Sequence, residues 1–303
     1  MQRDIRGGTP AGRRRRGVTL LAALGGCALV AASSTPAAAH GAGGGRAKEY
    51  AALGDSYTSG PLIPTQVDVN CARSDHNYPS LVAARLGSSP FKDVSCGGAT
   101  TEHMWKPQGT NGPQLDAVDR DTDLVTVQIG GNDIGFGTII ATCVQVASQD
   151  PTGSPCRQHY GASGIDELSV AIARTAPKVA EVLRAVRHRA PHARVVVVGY
   201  PDLLPDDGSG CAPSVPFASG DFPYLRDTEK RLNLMLRLVA RWNHAEYVDT
   251  YGPTVGHDMC KPPADRWIEP LRPASPAAPA HPNAKGEAAM ADAVLKRLTR
   301  HGR

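Results

Sequence analysis

The sequence has few aromatic residues, no excess of charge of one sign and one long apolar run. Its 303 residues include 5% aromatics, with 33 Lys and Arg against 29 Asp and Glu. This composition excludes a disordered polyelectrolyte, a coiled coil and a collagen-like fibre. It also argues against a long aromatic platform for carbohydrate. The single apolar run lies near the N-terminus, which excludes a polytopic membrane protein.

Residues 1–39 have the organisation of a secretory signal peptide. A basic region comes first, an apolar run follows from Val18 to about Ala32, and small residues end at Ala39. Because the run is short for a membrane span and lacks stop-transfer charges, we expect cleavage after Ala39 and a secreted protein. A twin-arginine route, suggested by residues 13–16, and a lipid-anchored form, suggested by Cys27, remain alternatives.

Cleavage would change the charge of the protein. Residues 1–39 hold six Arg and one Asp, so the mature chain keeps 27 basic (33 − 6) and 28 acidic (29 − 1) residues. The net charge falls from +4 to −1, which removes the main support for a nucleic-acid partner.

Six cysteines remain after the leader: Cys71, Cys96, Cys143, Cys156, Cys211 and Cys260. An even number in an exported chain predicts disulfides, and six cysteines allow 15 pairings. The simplest pairing has no nested bonds and joins consecutive cysteines. A zinc site would need C-x-x-C or close Cys/His spacing, which the sequence lacks. We therefore expect neither a metal nor another cofactor.

Hydrophobic patterns predict strands alternating with helices in one domain, 48–303, after a flexible Gly-rich N-terminus, 40–47. The predicted strands are 50–53, 93–96, 124–129, 194–198 and 247–249. The predicted helices are 78–86, 165–189, 225–244 and 283–298, with Pro177 expected to kink or split the second. Residues 143–156, which include Asp150-Pro151 and Gly153, are expected to form an excursion from the fold. This alternation predicts an α/β fold, a three-layer α/β/α sandwich with a mainly parallel, flavodoxin-like sheet.

Four polar clusters follow predicted strands or precede the last helix. They are Gly54-Asp55-Ser56-Tyr57, Gly97-Gly98-Ala99-Thr100, Gly130-Gly131-Asn132-Asp133 and His281-Pro282-Asn283. Each alone could be an ordinary turn or helix cap. Together they offer a hydroxyl nucleophile (Ser56), a base (His281), a free backbone N–H (Gly98) and an amide donor (Asn132), which is the set that acyl transfer requires.

The order and spacing of these clusters resemble the SGNH hydrolases, also called GDSL esterases and lipases, over residues 50–298. The cysteine-rich loops and Asp265-Arg266-Trp267-Ile268-Glu269-Pro270 resemble the secreted actinomycete lipase/esterase branch. The resemblance implies that Ser56 attacks the ester and His281 relays its proton. It also implies an oxyanion hole made by the N–H groups of Ser56 and Gly98 and the side chain of Asn132. Asp55 is expected to orient the nucleophile turn.

One position departs from the family pattern. The family's last motif is D-x-x-H, but Ala278 lies three residues before His281. We therefore expect a Ser–His dyad whose histidine is oriented by a backbone carbonyl from the Pro-rich stretch 267–280, as the resembling branch implies. The alternative is a distant carboxylate from Asp249, Asp258 or Asp265.

The expected function is a secreted serine esterase or lipase acting on acyl esters of glycerol or other lipids. The alternatives are a carbohydrate esterase of the acetyl-xylan type, a phospholipase A1, and a catalytically idle wall-binding protein. Retention of all four candidate residues argues against the idle protein. The expected partners are a small-molecule or lipid ester and, transiently, a lipid interface; the protein is expected to be a monomer without a nucleic-acid partner.

Overall fold

Five parallel strands form the central sheet of the structure, a computed structural model that describes residues 48–299. They are β1 (Tyr50–Gly54), β4 (Phe91–Asp93), β5 (Leu124–Gln128), β6 (Arg194–Val198) and β7 (Glu246–Val248). Their spatial order is β4-β1-β5-β6-β7, which is 2-1-3-4-5 in chain order. This is the flavodoxin-like topology that the sequence predicts. The predicted leader, 1–39, and the Gly-rich segment, 40–47, lie outside the described residues.

The central strands are buried on both faces, as continuous apolar runs in parallel sheets require. Alternate residues of β6 enter two cores: Val195 and Val197 pack on one face, and Val196 and Val198 on the other. Helices α3, α5 and α6 contribute to the first core, and α2 and α8 to the second. The three layers therefore follow from period-two side-chain alternation along the strands.

The helices are α1 (Ser56–Ser59), α2 (Tyr78–Leu86), α3 (Phe136–Ala147), α4 (Pro155–Tyr160), α5 (Glu167–Arg189), α6 (Phe222–Trp242), α7 (Tyr251–Thr254) and α8 (Ala284–Thr299). A small hairpin pairs β2 (Gln66–Asp68) with β3 (Arg73–Ser74). Pro177 lies inside α5, which stays one helix. None of the helices in the described part of the chain is long and apolar enough to cross a membrane.

Two predicted elements differ from the structure. The excursion predicted at 143–156 contains the end of α3 and the start of α4. Helix α3 has Gly and β-branched residues of modest helix propensity, so packing of Ile139 and Cys143 in the core stabilises it instead. The strand predicted at 93–96 ends at Asp93, although Val94 and Cys96 still donate backbone hydrogen bonds to the β1 chain.

The disulfides of the described chain are Cys71–Cys96, Cys143–Cys156 and Cys211–Cys260. They are the three bonds of the simplest non-nested pairing. Cys71–Cys96 joins the hairpin to the loop after β4, next to Gly97. Cys211–Cys260 joins the long loop after β6 to the loop after α7. Both bonds restrain segments that follow strands of the sheet.

Candidate active site

The first and third polar clusters follow β1 and β5, which are neighbours at the centre of the sheet. The strand order reverses at this pair, and ligands of open parallel sheets bind outside the carboxyl ends of such strands. Ser56 begins α1 directly after β1, and Asn132 lies in the turn after β5. The topology therefore brings both residues to one edge of the sheet.

Close packing beneath the nucleophile turn requires glycine at position 54. A Cβ atom there would lie 2.0 Å from Thr58 Oγ1 and 2.8 Å from the Gln128 carbonyl oxygen. The side chain of Gln114 accepts from the Gly54 N–H (2.8 Å) and donates to its carbonyl (2.9 Å). The backbone at Gly54, two residues before Ser56, is therefore held by close packing against Thr58 and Gln128 and by hydrogen bonds to Gln114.

Asp55 links the nucleophile turn to the turn after β5. Its carboxylate caps α1 by accepting from the Tyr57 N–H (2.9 Å) and accepts from the Tyr200 hydroxyl (2.5 Å). The same hydroxyl accepts from the Gly131 N–H (2.8 Å). Burial raises the pKa of Asp55 to about 7, although these hydrogen bonds favour its charged form. Its contacts are those of a positioning group, as the sequence predicts.

Ser56 and His281 form a hydrogen-bonded pair although 225 residues separate them. His281 Nε2 lies 2.7 Å from Ser56 Oγ, and His281 Nδ1 lies 2.7 Å from the carbonyl oxygen of Pro279. A carbonyl can only accept, so Nδ1 carries the proton and Nε2 is left to accept from the serine. The Tyr57 ring stacks on the imidazole at 4.7 Å, and Phe136 meets it edge-on at 6.3 Å.

The third partner of His281 is thus a backbone carbonyl within the predicted stretch 267–280. No carboxylate of the described residues bonds the imidazole. Asp249 accepts from Gly252 (3.1 Å) and Asp258 from Cys260 (2.8 Å), while the backbone carbonyl of Asp265 contacts His257. The geometry agrees with the dyad hypothesis rather than with a distant acid.

A buried glutamate organises the loop that carries His281. Glu269 accepts from the N–H groups of Ala274 (2.8 Å) and Ser275 (3.2 Å) and from the Asn283 amide (2.8 Å). Burial alone would raise the pKa of Glu269, but these bonds and the Arg266 guanidinium hold it below its usual range. The Glu269 N–H also donates a hydrogen bond to the backbone carbonyl of His281 (2.9 Å). The loop is therefore rigidly held without a carboxylate at position 278.

The three candidate oxyanion donors keep N–H groups available. Within the described chain, the backbone N–H groups of Ser56 and Gly98 donate to no other group. Gly98 has φ +76°, a conformation that favours glycine. Asn132 Nδ2 donates one hydrogen to the Ala99 carbonyl (2.9 Å), which sets its amide beside the Gly98 turn and leaves the second hydrogen for a ligand.

Asp133 holds the Gly98 turn against the turn after β5. Its carboxylate accepts from the Thr101 N–H (2.9 Å) and hydroxyl (2.5 Å). Thr101 directly follows the second cluster, so these bonds reinforce the Asn132–Ala99 hydrogen bond that joins the second and third clusters.

An apolar cavity opens beside Ser56. Its walls include the aliphatic and aromatic side chains of Ile134, Phe136, Ile139, Leu203, Phe217 and Leu225. Ser56, Asn132 and Tyr57 also line it. Two carboxyl groups, those of Asp55 and Glu229, line the cavity. Burial raises the pKa of Glu229 well above the usual range, so its uncharged form is favoured. The cavity is therefore suited to an apolar chain attached to a group held at Ser56.

Burial lowers the pKa of His281 below its ordinary value, and the Pro279 carbonyl offsets this only in part. Because the base must be neutral, we expect kcat/KM to fall with decreasing pH along an acidic limb below about pH 6.5. In Ala278→Asp, a nearby carboxylate should stabilise the imidazolium and move this limb to higher pH. Ala278→Asn is the uncharged control and should leave the limb unchanged. An unshifted limb in a folded Ala278→Asp would show that residue 278 does not face the imidazole.

A second buried acid lies next to the cavity wall. Asp202 directly precedes Leu203, is fully buried, and neither carboxylate oxygen has a hydrogen-bond partner in the described chain. The Tyr251 hydroxyl donates to Asp206 instead (2.9 Å). Burial, with repulsion from Asp258 and Asp206, raises the pKa of Asp202 to about 7, and the nearby Tyr251 hydroxyl and Gly256 N–H offset this only in part.

Asp202 should therefore destabilise the fold at alkaline pH. Its folded pKa of about 7 exceeds the unfolded value of about 3.9, so its contribution to stability is full below about pH 4 and is lost as pH rises through about 7. Asp202→Asn should raise the free energy of unfolding at about pH 8 by about 4 kcal/mol at most, a Tm gain of several degrees that vanishes near about pH 4. The exposed Asp292→Asn should show no such trend. A lower Tm for Asp202→Asn at the alkaline pH would contradict this.

The structure shows two positioning residues, Tyr57 and Tyr200, whose roles the sequence analysis does not predict. Tyr57 belongs to the first cluster, and only the structure shows its ring on His281 and its hydroxyl on the Ala280 carbonyl (2.5 Å). Tyr200 follows β6 at the same sheet edge as the other clusters. That position after a buried strand is the signal that could have identified it.

A parallel α/β sheet with a serine–histidine pair and amide donors at its carboxyl edge defines a serine ester hydrolase. Among residues 48–299 no group of His, Cys, Asp or Glu is arranged to hold a metal ion. Comparison with known families supports the assignment as an ester hydrolase. The model of the GDSL-like Lipase/Acylhydrolase family matches residues 52–289. The chain belongs to this family.

Three of the similar proteins come from Streptomyces. Lipase 2 of Streptomyces coelicolor is 42% identical over 253 residues, which cover 82% of this chain and 84% of that protein. Among solved structures, phospholipase A1 from Streptomyces albidoflavus NA297 has a TM-score of 0.69 at 28% identity, and the match covers 83% of this chain and 99% of that one. An extracellular lipase from Streptomyces rimosus has a TM-score of 0.67 at 28% identity, with the same coverage.

Proposed function

We propose that the protein is a secreted hydrolase of lipid carboxylic esters that works through an acyl-enzyme on Ser56. The observation that carries this proposal is the apolar cavity beside Ser56 Oγ. An acyl chain can fill such a cavity, because most of the side chains in its wall are aliphatic or aromatic. The names of the similar proteins, lipase and phospholipase A1, support the same substrate class.

The proposed reaction has two halves. Ser56 Oγ attacks the ester carbonyl while His281 Nε2 takes its proton, and the N–H groups of Ser56, Gly98 and Asn132 stabilise the oxyanion. His281 then protonates the leaving alcohol, which departs and leaves the acyl group on Ser56. Water, deprotonated by His281, attacks this ester, and His281 then returns the proton to Ser56 Oγ as the fatty acid leaves. The Pro279 carbonyl keeps the imidazole oriented throughout.

Secretion is part of the proposal. The predicted leader at residues 1–39 and the three disulfides both fit an oxidising, extracellular setting. The N-terminal sequence of protein recovered from culture medium should begin at His40. An unprocessed chain retained in the cytoplasm would contradict secretion, but it would leave the proposed catalytic roles of Ser56 and His281 unchanged.

A substrate panel tests the activity. The purified protein is given nitrophenyl esters of increasing chain length, a triacylglycerol, phosphatidylcholine and acetylated xylan, and kcat/KM is measured for each. We expect hydrolysis of nitrophenyl and glycerolipid acyl esters. Preference for acetylated xylan over every acyl chain would overturn the lipid assignment in favour of a carbohydrate esterase.

A further inference from the structure

Exposed aliphatic side chains concentrate in one short segment. Eight large hydrophobic side chains of the described chain are exposed, and three of them, Leu62 (59%), Val67 (61%) and Val69 (79%), lie within eight consecutive residues. We call residues 61–70 the apolar segment. Single exposed aliphatic residues are common on protein surfaces, but such a cluster indicates an interaction surface.

The apolar segment bridges the two sides of the candidate active site. At its start, the Pro61 carbonyl accepts from the N–H of Ala278, three residues before His281 (3.0 Å). Just past its end, the Cys71 carbonyl accepts from the Gly97 N–H (2.8 Å), and Cys71 is disulfide-bonded to Cys96. The segment is thus attached to the loop of the base and to the turn of the Gly98 oxyanion donor.

The segment carries little charge. Its one ionisable side chain is Asp68, which pairs with Arg73 (2.7 Å) and also accepts from the N–H groups of Asn70 and Cys71. Beside the segment, the exposed carboxylate of Asp75 accepts from the Thr65 N–H (3.1 Å). An apolar surface with a carboxylate at its edge suits a neutral or zwitterionic lipid surface better than an anionic one.

The segment is also held in place before any ligand binds. The β2–β3 hairpin pairs Gln66 with Ser74, and Gln66 Nε2 donates to the carbonyls of Gly60 (3.1 Å) and Ile63 (2.7 Å). The exposed side chains therefore stand on an ordered backbone, so binding through them costs little chain entropy.

We propose that the apolar segment is the lipid-docking surface of the enzyme. Leu62, Val67 and Val69 insert into the surface of a zwitterionic lipid aggregate and hold the cavity beside Ser56 against it. The inference rests on the proposed hydrolysis of lipid esters. It adds which residues meet the aggregate and predicts that they matter for aggregated substrate alone.

The test compares two surface variants. The segment variant is Leu62→Asn/Val67→Thr/Val69→Thr: asparagine tolerates the positive φ of Leu62 (66°), and threonine keeps the β-branch. The control is Ile165→Thr/Leu234→Asn, which removes exposed aliphatic groups elsewhere (63% and 53% exposed). Binding to dioleoylphosphatidylcholine vesicles is measured by sedimentation in the Ser56→Ala background, so that lipid is not consumed.

We expect the segment variant to need at least about tenfold more lipid for half-maximal binding, and the control to bind as the parent does. With Ser56 intact, activity on vesicles should fall by a similar factor, while kcat/KM for dissolved nitrophenyl butyrate stays within about twofold. Thermal unfolding of both variants checks the fold, and equal Tm values would exclude a folding defect as the cause of weaker binding.

Unchanged vesicle binding by the segment variant would overturn the proposal, and so would an equal loss in the control. If the parent forms a dimer in sedimentation velocity that the segment variant dissociates, the segment is a contact between copies and the lipid proposal is wrong. Failure of the parent to hydrolyse any ester would instead overturn the proposed function.

Discussion

Replacing Ser56 with alanine should lower kcat for nitrophenyl esters by about 10⁴- to 10⁶-fold and leave the fold intact. The hydroxyl contacts the imidazole of His281 at 2.7 Å and is the atom that would carry the acyl group. Removing the nucleophile of other serine hydrolases has effects of this size, because the remaining binding groups give only residual catalysis. Burst and steady-state kinetics measure kcat, and thermal unfolding checks the fold.

Covalent labelling makes this test specific to position 56. A fluorophosphonate should add its phosphonyl mass to the peptide that contains Ser56 in the parent and to no peptide in Ser56→Ala. Ser148→Ala removes an exposed hydroxyl at the end of α3 and should keep both labelling and activity. Normal turnover or labelling at another serine in a pure sample of Ser56→Ala would contradict the mechanism.

The sequence predicts the sheet well because its strands are buried on both faces. A short, continuous β-branched run such as Val195–Val198 is typical of a strand covered by helices on either side. The structure confirms this run as a strand with the expected parallel pairing. The first turns of helix α3 escape prediction for the opposite reason, because their local propensity is modest and contacts distant in sequence stabilise them.

The residues of the candidate site also fall into two groups, those that the sequence predicts and those that only the structure shows. Ser56, Gly98, Asn132 and His281 can be proposed from sequence because each is the residue type that acyl transfer needs and each follows a strand or precedes a helix. The residues that position these four side chains are harder to predict from the sequence. Nothing local reveals that the Tyr200 hydroxyl bonds Asp55, 145 residues away, or that Glu269 gathers the backbone of the His281 loop.

The missing acid at position 278 shows what sequence spacing can and cannot give. The absence of a carboxylate is visible in the sequence, and with it the need for another acceptor. Which carbonyl serves depends on the path of the Pro-rich loop, and that path is set by the hydrogen bonds of Glu269 and of Ala278 to Pro61. The Pro279 carbonyl is therefore found from the structure alone.

Asn132→Ala should lower kcat by about 10²- to 10³-fold with little change in KM. The Asn132 amide has one hydrogen on the Ala99 carbonyl and one left for a ligand, and it lines the cavity together with Ser56. A donor that meets charge only as the oxyanion forms contributes to the transition state and not to substrate binding. Steady-state kinetics on a soluble nitrophenyl ester separate kcat from KM.

A transition-state analogue distinguishes this role from a structural one, because Asn132 also holds the Gly98 turn. A trifluoromethyl ketone forms a tetrahedral adduct with a serine nucleophile, so its affinity should fall in Asn132→Ala by the same factor as kcat/KM. Asp133→Asn is the matched control, since it weakens the contact with Thr101 while the Asn132 amide stays in place. If Asp133→Asn lost as much analogue affinity as Asn132→Ala, the turn and not the amide would be what stabilises the adduct.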